Sequence, residues 1–469
     1  MDARWSELWS VERRAATATV ALGVALFAFN AFVVSTALPS AVGAFGGARW
    51  LAWASSLYII CSLVTGPSAA LVMHRVGARV LFMAAGGLFL AGTLMAAAAP
   101  SIGVLLGGRA LQGAAAGFIE SGCYVLIPRL FPPRLIGRVF GVEAVAWAAA
   151  AFAAPALAGV LAEAVSWRVA LCASVPIVVI FLVLVPRVVG PHVPQAATLP
   201  GAAPAPGLPL LSLAGLAAGM GLIVLSDRDG DLVWRMLTLA AGVALCMAVV
   251  RGDGRRGERL LPKGAFDVRR GLGLGLWITL LMPMSQSASS VFLVYMLVNL
   301  WGYSTVVAGL SATVLALSWS FMQTLSAQMP GDRRRLVAVG GVVAVVGQAV
   351  MFLAFWQDST AAMLGAQVLL GAAFGLSWGA LSQVVMEEAG ADRDQAAGLL
   401  PVVFSAGFGL GAAFLGLIAN GLGFGAAEGA ALQGVMLGLV ALAFLLSVVV
   451  AGLALALWRG RAAGRRLAT

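Results

Sequence analysis

Residues 101–127, SIGVLLGGRALQGAAAGFIESGCYVLI, put an arginine and a glutamate into a run that is otherwise apolar or neutral. A helix needs roughly 20 residues to cross hydrocarbon, and a longer one tilts or continues past the interface. A charge at that depth must find partners, water or a proton. The stretch therefore reads as a membrane-spanning helix in which Arg109 and Glu120 are kept for function.

The rest of the chain agrees. Of 469 residues, 61% are hydrophobic and only 10% charged, with a mean hydropathy of +0.99. A soluble domain carries about 25% charged residues. Apolar segments recur at 15–38, 51–73, 80–99, 101–127, 138–161, 168–185, 208–226, 232–250, 271–299, 305–326, 336–356, 360–385, 396–419 and 430–457. Fourteen spans are expected, in an all-α polytopic membrane protein.

Charge gives the orientation. With a cytoplasmic N-terminus, inner segments hold 24 of the 29 Lys and Arg, and outer segments only Arg49, Arg168, Arg228 and Arg235. By the positive-inside rule both termini are cytoplasmic, which requires an even number of spans. The net charge of +10 thus reports topology. Its residues sit in short loops without interleaved aromatics, so no nucleic-acid partner is expected.

Two halves of similar helix and loop length are legible: a six-helix bundle at 1–185 and a second, with a basic tail, at 271–469. Between them lie a Pro/Ala-rich cytoplasmic linker at 186–207, an inserted hairpin at 208–250 and a basic cytoplasmic loop at 251–270. That is the organisation of a transporter rather than of a channel, which would repeat a filter or polar ring. The hairpin reads either as a passive lipid-facing insert or as an aid to substrate entry or partner contact. Trp5, Leu8 and Trp9 have the spacing of a short interfacial helix, and a frayed terminus is the other reading. Cys61, Cys123, Cys172 and Cys246 fall within apolar runs, as structural cysteines do. No cofactor, metal site or enzyme chemistry is expected: two histidines make no zinc cluster, no phosphate loop is present, and no nucleophile–base set stands out.

Several motifs carry a family resemblance. ALVMHRVGARVLF (70–82) contains Arg75, Gly77 and Arg79, with His74 where an aspartate and Ala70 where a glycine is usual; RALQGAAAG (109–117) contains Arg109, Gln112 and Gly113. AAPALAG (153–159) keeps Pro155 and Gly159 of a glycine-richer signature, and SWRVALCASVPI (166–177) and NAFVVSTALP (30–39) complete the set. Together they resemble the major facilitator superfamily, and with fourteen spans its drug:proton antiporter branch. The resemblance implies the major facilitator fold, two six-helix bundles plus the inserted hairpin. It implies gating by His74, Arg75, Gly77, Arg79, Pro155 and Gly159, and proton coupling at Arg109. One departure matters: Asn30 stands where that branch carries an aspartate, and a carboxamide cannot exchange a proton near neutral pH.

The proton carrier is then sought elsewhere. Glu120 is eleven residues from Arg109, about 1,100° of helix rotation, so the two share a face but stand roughly 16 Å apart along the axis. Glu143, on the next span, is as far from the intervening turn as Glu120, so a symmetric hairpin puts both carboxylates at similar depth; whether they face one another is left open. Glu120 is the leading proton or cation site, Glu143 the second, and Arg109 tunes the transition. A neutral or paired structural Glu120 and an interfacial Glu143 are the alternatives. Asn30, Trp53, Tyr58, Gln112, Tyr124, Trp147, Gln286, Ser289, Tyr295, Trp378 and Gln383 are candidate substrate contacts, a mixture suited to a bulky amphipathic ligand.

The expected function is secondary export of lipophilic or amphipathic small molecules, including cationic drugs, against protons by alternating access. The protein is placed as a monomer among the lipids of a plasma membrane, the inner membrane of a bacterium. A uniporter or importer of one metabolite, an exporter of a natural product or lipid, and a membrane sensor or assembly partner are the alternatives.

Overall fold

The computed structural model describes residues 4–45, 51–190, 209–226, 232–253, 259–424 and 427–466. Arg49, His192, Arg228, the linker from 191, the outer hairpin turn 227–231 and the centre of the basic loop, 254–258, lie outside the described residues.

Among the described residues the chain is helical, with no strand. The helices are α1 (Arg14–Gly43), α2 (Leu51–Thr65), α3 (Ala69–Val76), α4 (Ala78–Ala97), α5 (Ile102–Leu130), α6 (Pro133–Ala164), α7 (Trp167–Leu171) and α8 (Val175–Val188). They continue with α9 (Leu210–Leu225), α10 (Leu232–Asp253), α11 (Gly271–Asn299), α12 (Thr305–Ser326), α13 (Arg333–Trp356), α14 (Thr360–Glu388), α15 (Arg393–Gly421) and α16 (Gly429–Arg466). Twelve helical stretches among the described residues are long and apolar enough to cross a membrane. Two of these are broken rather than straight: a 3₁₀ turn at Gly66–Ser68, carrying Pro67, joins α2 to α3, and one at Cys172–Ser174, before Pro176, joins α7 to α8. The two expected spans outside the twelve are α9, 16 residues long, and α12, 22 residues long and as apolar on average as several of the twelve.

The chain forms two compact units. The first comprises Met1–Ala217, Ala248–Pro262 and Asp394–Val402; the second comprises Ala218–Met247, Lys263–Arg393 and Val403–Thr469. Thus each leg of the hairpin is divided between the units, and so is α15.

In lipid, helices gain little from hydrophobic burial against one another, so close van der Waals packing decides which pairs meet. In the first unit a Cβ on Gly113 would lie 2.2 Å from the Tyr58 carbonyl oxygen, and one on Gly117 2.4 Å from that of Ser62. The GAAAG row therefore lays α5 directly on the backbone of α2. In the second unit Gly371 and Gly375 do the same for α14 on α12, with a Cβ 2.3 Å from the Leu315 oxygen and 2.6 Å from the Trp319 oxygen. Ala150, Ala154 and Ala158 of α6 pack with Ala28, Phe29 and Val33 of α1. The second unit has its own core around Phe292, Met296, Met351, Phe355, Leu370 and Met436.

The N-terminal segment forms a single 3₁₀ turn, Trp5–Glu7. It is docked: Glu7 receives Arg134 at 2.8 Å, and Thr17 Oγ1 donates to the carbonyl of the fully buried Leu8 at 2.9 Å. The backbone N–H of Arg4, then Arg134 and Arg13, hold the Glu7 carboxyl below the usual carboxylate range.

Candidate functional site

Helix α5 begins at Ser101, whose extended backbone precedes the first turn, and ends at Phe131 ahead of Pro132 and Pro133. Between those stops it carries Arg109, Gln112, Glu120 and Tyr124, all buried. Arg109 is 1% exposed and is solvated by protein alone. Its Nε donates to the Ala54 carbonyl on α2 at 3.1 Å, its Nη1 to Gln112 Oε1 at 2.5 Å, and its guanidinium lies 4.4 Å from the Tyr58 ring centroid. Gln112 Nε2 passes the chain on to Thr93 Oγ1 on α4 at 2.7 Å. The arginine is thus engaged with backbone, amide and ring, and is not paired with Glu120, in keeping with the rise between them. A planar cation with several donors suits such a mixed set better than an ammonium does.

Tyr58 links this arginine to the acidic end. Its hydroxyl donates to the Phe27 carbonyl on α1 at 3.4 Å, lies toward the Asn30 carboxamide, and is within electrostatic reach of Glu120. Asn30 is fully buried, and neither its Oδ1 nor its Nδ2 meets hydrogen-bond geometry with a described residue. Glu120 and Glu143 lie within electrostatic reach of each other. Glu120 is 7% exposed; Glu143 is 3% exposed, and neither of its oxygens has a partner of good geometry among the described residues. The Tyr124 hydroxyl lies toward Glu143 outside that geometry. Trp147, one turn on from Glu143, stands 6.3 Å from both Phe27 and Phe32.

In the first unit, then, Arg109 meets Gln112 and the Tyr58 ring, and Asn30, Glu120, Tyr124 and Glu143 are buried in the same unit. Trp53 is half-buried on α2, one residue before the Ala54 carbonyl that holds Arg109.

The second unit gathers fewer. Gln286 and Ser289, one helical turn apart on α11, are buried, with the Gln286 amide and the Ser289 hydroxyl unpartnered among the described residues. Trp378 is 4.5 Å from Phe404, whereas Gln383 turns back to the Gly379 carbonyl of its own helix at 3.0 Å. Tyr295, nine residues beyond Gln286, is 43% exposed and packs on Phe424 at 4.8 Å, so it does not join Gln286 and Ser289. Sequence reasoning missed the aromatic cluster around Trp378, made of Trp319, Phe374, Phe404 and Phe408. Its signal was present: 374/378 and 404/408 are aromatic pairs at helical spacing.

Of the gating candidates, Gly77 has φ +86°, a conformation open to glycine, and this lets α3 turn directly into α4. His74 Nε2 is 3.1 Å from Asp394 Oδ2 and 3.3 Å from Arg129, and Arg129 is itself ion-paired to Asp394. Neither Arg129 nor Asp394 was expected here, because residues 265 apart carry no local signal. Arg75 and Arg79 are exposed. Helix α6 runs unbroken through Pro155, and a Cβ on Gly159 would meet nothing within 4 Å, so no close approach requires that glycine. Asp394→Asn should leave Arg129 without its charged acceptor and lower stability by about 1 kcal/mol, less than a buried ionic hydrogen bond because the pair is partly exposed. A fall in the apparent melting temperature of the detergent-solubilised protein checks this.

Comparison with known proteins bears on the family and the fold. The chain is 29% identical over 431 residues to a probable multidrug-efflux transporter of Mycobacterium tuberculosis, covering 89% of each chain. It is 26% identical over 337 residues to the uncharacterized MFS-type transporter YhcA of Bacillus subtilis, covering 69% of this chain and 61% of that one. Its fold is similar to that of the human organic anion transporter MFSD10, with a TM-score of 0.63 at 16% identity over 92% of this chain and 99% of that one. A proton:xylose symporter, XylE, has a TM-score of 0.58 at 15% identity, covering 92% and 94%. The sequence profile of the Major Facilitator Superfamily matches residues 20–414. A multi-pass all-α chain with charged and polar side chains clustered at membrane depth, matched over most of its length by that profile, belongs to the Major Facilitator Superfamily, whose members are secondary transporters of small molecules and not enzymes.

Proposed function

We propose that the protein is a proton-coupled antiporter that exports lipophilic or amphipathic small molecules, organic cations among them, as a monomer in the inner membrane of a bacterium. Both termini are cytoplasmic in this reading, and α9 and α12 complete fourteen spans of the drug:proton antiporter type. The observation that carries it is the placement of Glu120: an acid inside α5, slightly open at 7% exposure, within reach of Glu143 and Tyr58. The name of the Mycobacterium relative supports export as the direction.

Glu120 is the exchange site in this reading. A proton neutralises it and favours one facing state; loss of the proton and arrival of a cation favour the other, and only such a difference in affinity between states can drive the cycle. Glu143 stands behind it as a second acceptor. Arg109, held by Ala54, Gln112 and Tyr58, answers the change of charge through the Tyr58 ring. Asn30, a neutral side chain at the position of the branch's aspartate, favours one further reading: facilitated movement of a metabolite, or export of a natural product or lipid, without a proton.

Purified protein in liposomes separates the two. With ethidium as probe, antiport requires substrate-dependent proton movement opposite to ethidium under an imposed pH gradient; equilibration indifferent to the gradient would favour the uncoupled reading. In the same assay Glu143→Gln should lower gradient-driven flux about tenfold while ethidium binding stays within about threefold, because Glu143 is the second acceptor in this reading and biases the facing states rather than the ligand.

A further inference from the structure

The inserted hairpin ends in a buried acid that its helix does not favour. Asp253 is the last residue of α10 and 1% exposed. Negative charge at a helix C-terminus opposes the macrodipole, so other contacts must hold it there. Its Oδ1 accepts from Ser212 Oγ of α9 at 2.9 Å, Oδ2 from the backbone N–H of Leu261 at 2.8 Å, and both oxygens from the N–H of Leu260, at 3.1 and 2.9 Å. One carboxylate thereby ties α9, α10 and the returning chain together. Leu260 and Leu261 are buried beside it, at 1% and 7% exposure.

The returning chain is held on its other side by α15. The carbonyl of Arg259 accepts from Gln395 Nε2 at 3.1 Å. Gln395 follows Asp394, the acid that meets His74 and Arg129. The same first turns of α15 are seated closely: a Cβ on Gly398 would lie 3.2 Å from Val125 of α5, and one on Gly66 2.5 Å from Val402. Every residue in this chain of contacts belongs to the first unit.

We propose that the inserted hairpin is a positioning element, in which Asp253, through Leu260, Leu261 and the Arg259 carbonyl, fixes the start of α15 so that Asp394 reaches His74 and Arg129. The hairpin is then part of the working structure at the inner ends of these helices and not a lipid-facing passenger. This inference does not depend on proton coupling or on the direction of transport.

Hydrogen exchange of the full-length protein in lipid nanodiscs tests it. Asp253→Asn removes the charge and one acceptor oxygen; Ser212→Ala removes the hydroxyl that ties Asp253 to α9 and leaves the carboxylate in place. Loss of one such bond should raise the exchange of amides in 394–402 about three- to tenfold in either variant, and Ser212→Thr, which keeps the hydroxyl, should restore it. Gln395→Met should accelerate 394–402 and leave 210–217 and 248–253 unchanged. Acceleration confined to 253–262, with 394–402 unaltered in both Asp253→Asn and Ser212→Ala, would overturn the proposal; if Asp253→Asn does not fold, Ser212→Ala and its threonine rescue decide alone. A transport readout separates positioning from general damage: the maximal rate of ethidium flux falls in Ser212→Ala while the half-saturating concentration stays constant.

Discussion

Glu120→Gln protein should insert into the membrane normally and lose the response of its flux to a pH gradient. The substitution keeps size and hydrogen-bonding capacity and removes only the ability to change charge. The site tolerates a neutral group, since the same burial already surrounds the neutral Asn30. A protonation event that biases two facing states contributes a coupling of typically 5- to 150-fold, and the gradient-driven rate should fall by about that factor. Proton-independent equilibration of ethidium persists only as far as the carrier still changes state with a permanently neutral residue, so the ratio of coupled to uncoupled flux is the quantity to measure. Unchanged coupled flux and unchanged ethidium binding in normally inserted protein would falsify the assignment of Glu120 while leaving the family membership intact.

Gly113→Ala should damage both folding and function. The added Cβ would stand 2.2 Å from the Tyr58 carbonyl oxygen and 2.8 Å from two further Tyr58 backbone atoms, so no side-chain rotation relieves it. Either α5 withdraws from α2 or the α2 backbone shifts; in both cases the Tyr58 ring leaves its place beneath Arg109. Overpacking of this kind costs about 1–3 kcal/mol, and a backbone neighbour puts this case at the upper end. The expected result is a lower yield of folded protein with reduced flux in the fraction that folds. Gly159→Ala is the control: with nothing within 4 Å of its Cβ, it should leave yield and flux unchanged. Equal behaviour of the two variants would remove the argument that the GAAAG row sets the position of Tyr58.

Much of the architecture was legible because the bilayer imposes a one-dimensional rule. Every spanning backbone group must be satisfied within its own helix, so length and hydropathy of consecutive residues mark helices such as 101–127 without knowledge of any neighbour. The motif at 109–117 likewise announced both a buried cation and a close helix contact, since arginine is rare at that depth and glycine spacing of four permits approach. The limits were also local in origin: an apolar run such as 208–226 shows nothing of where the helix inside it starts and stops, and α9 forms only over Leu210–Leu225.

Composition and order along the chain determined by themselves that this protein lies in a membrane as helices and that Arg109, Glu120 and Glu143 must be accommodated there. Only the tertiary structure decided the partners: Arg109 with Ala54, Gln112 and Tyr58, Glu120 with Glu143 in reach, Asp394 with Arg129 and His74, and Asp253 with Ser212. The physical reason is that helix formation is satisfied by bonds four residues apart, whereas the solvation of a buried charge depends on whichever helix faces it, and helix rotation and crossing are set by side-chain packing that has no signature in sequence separation.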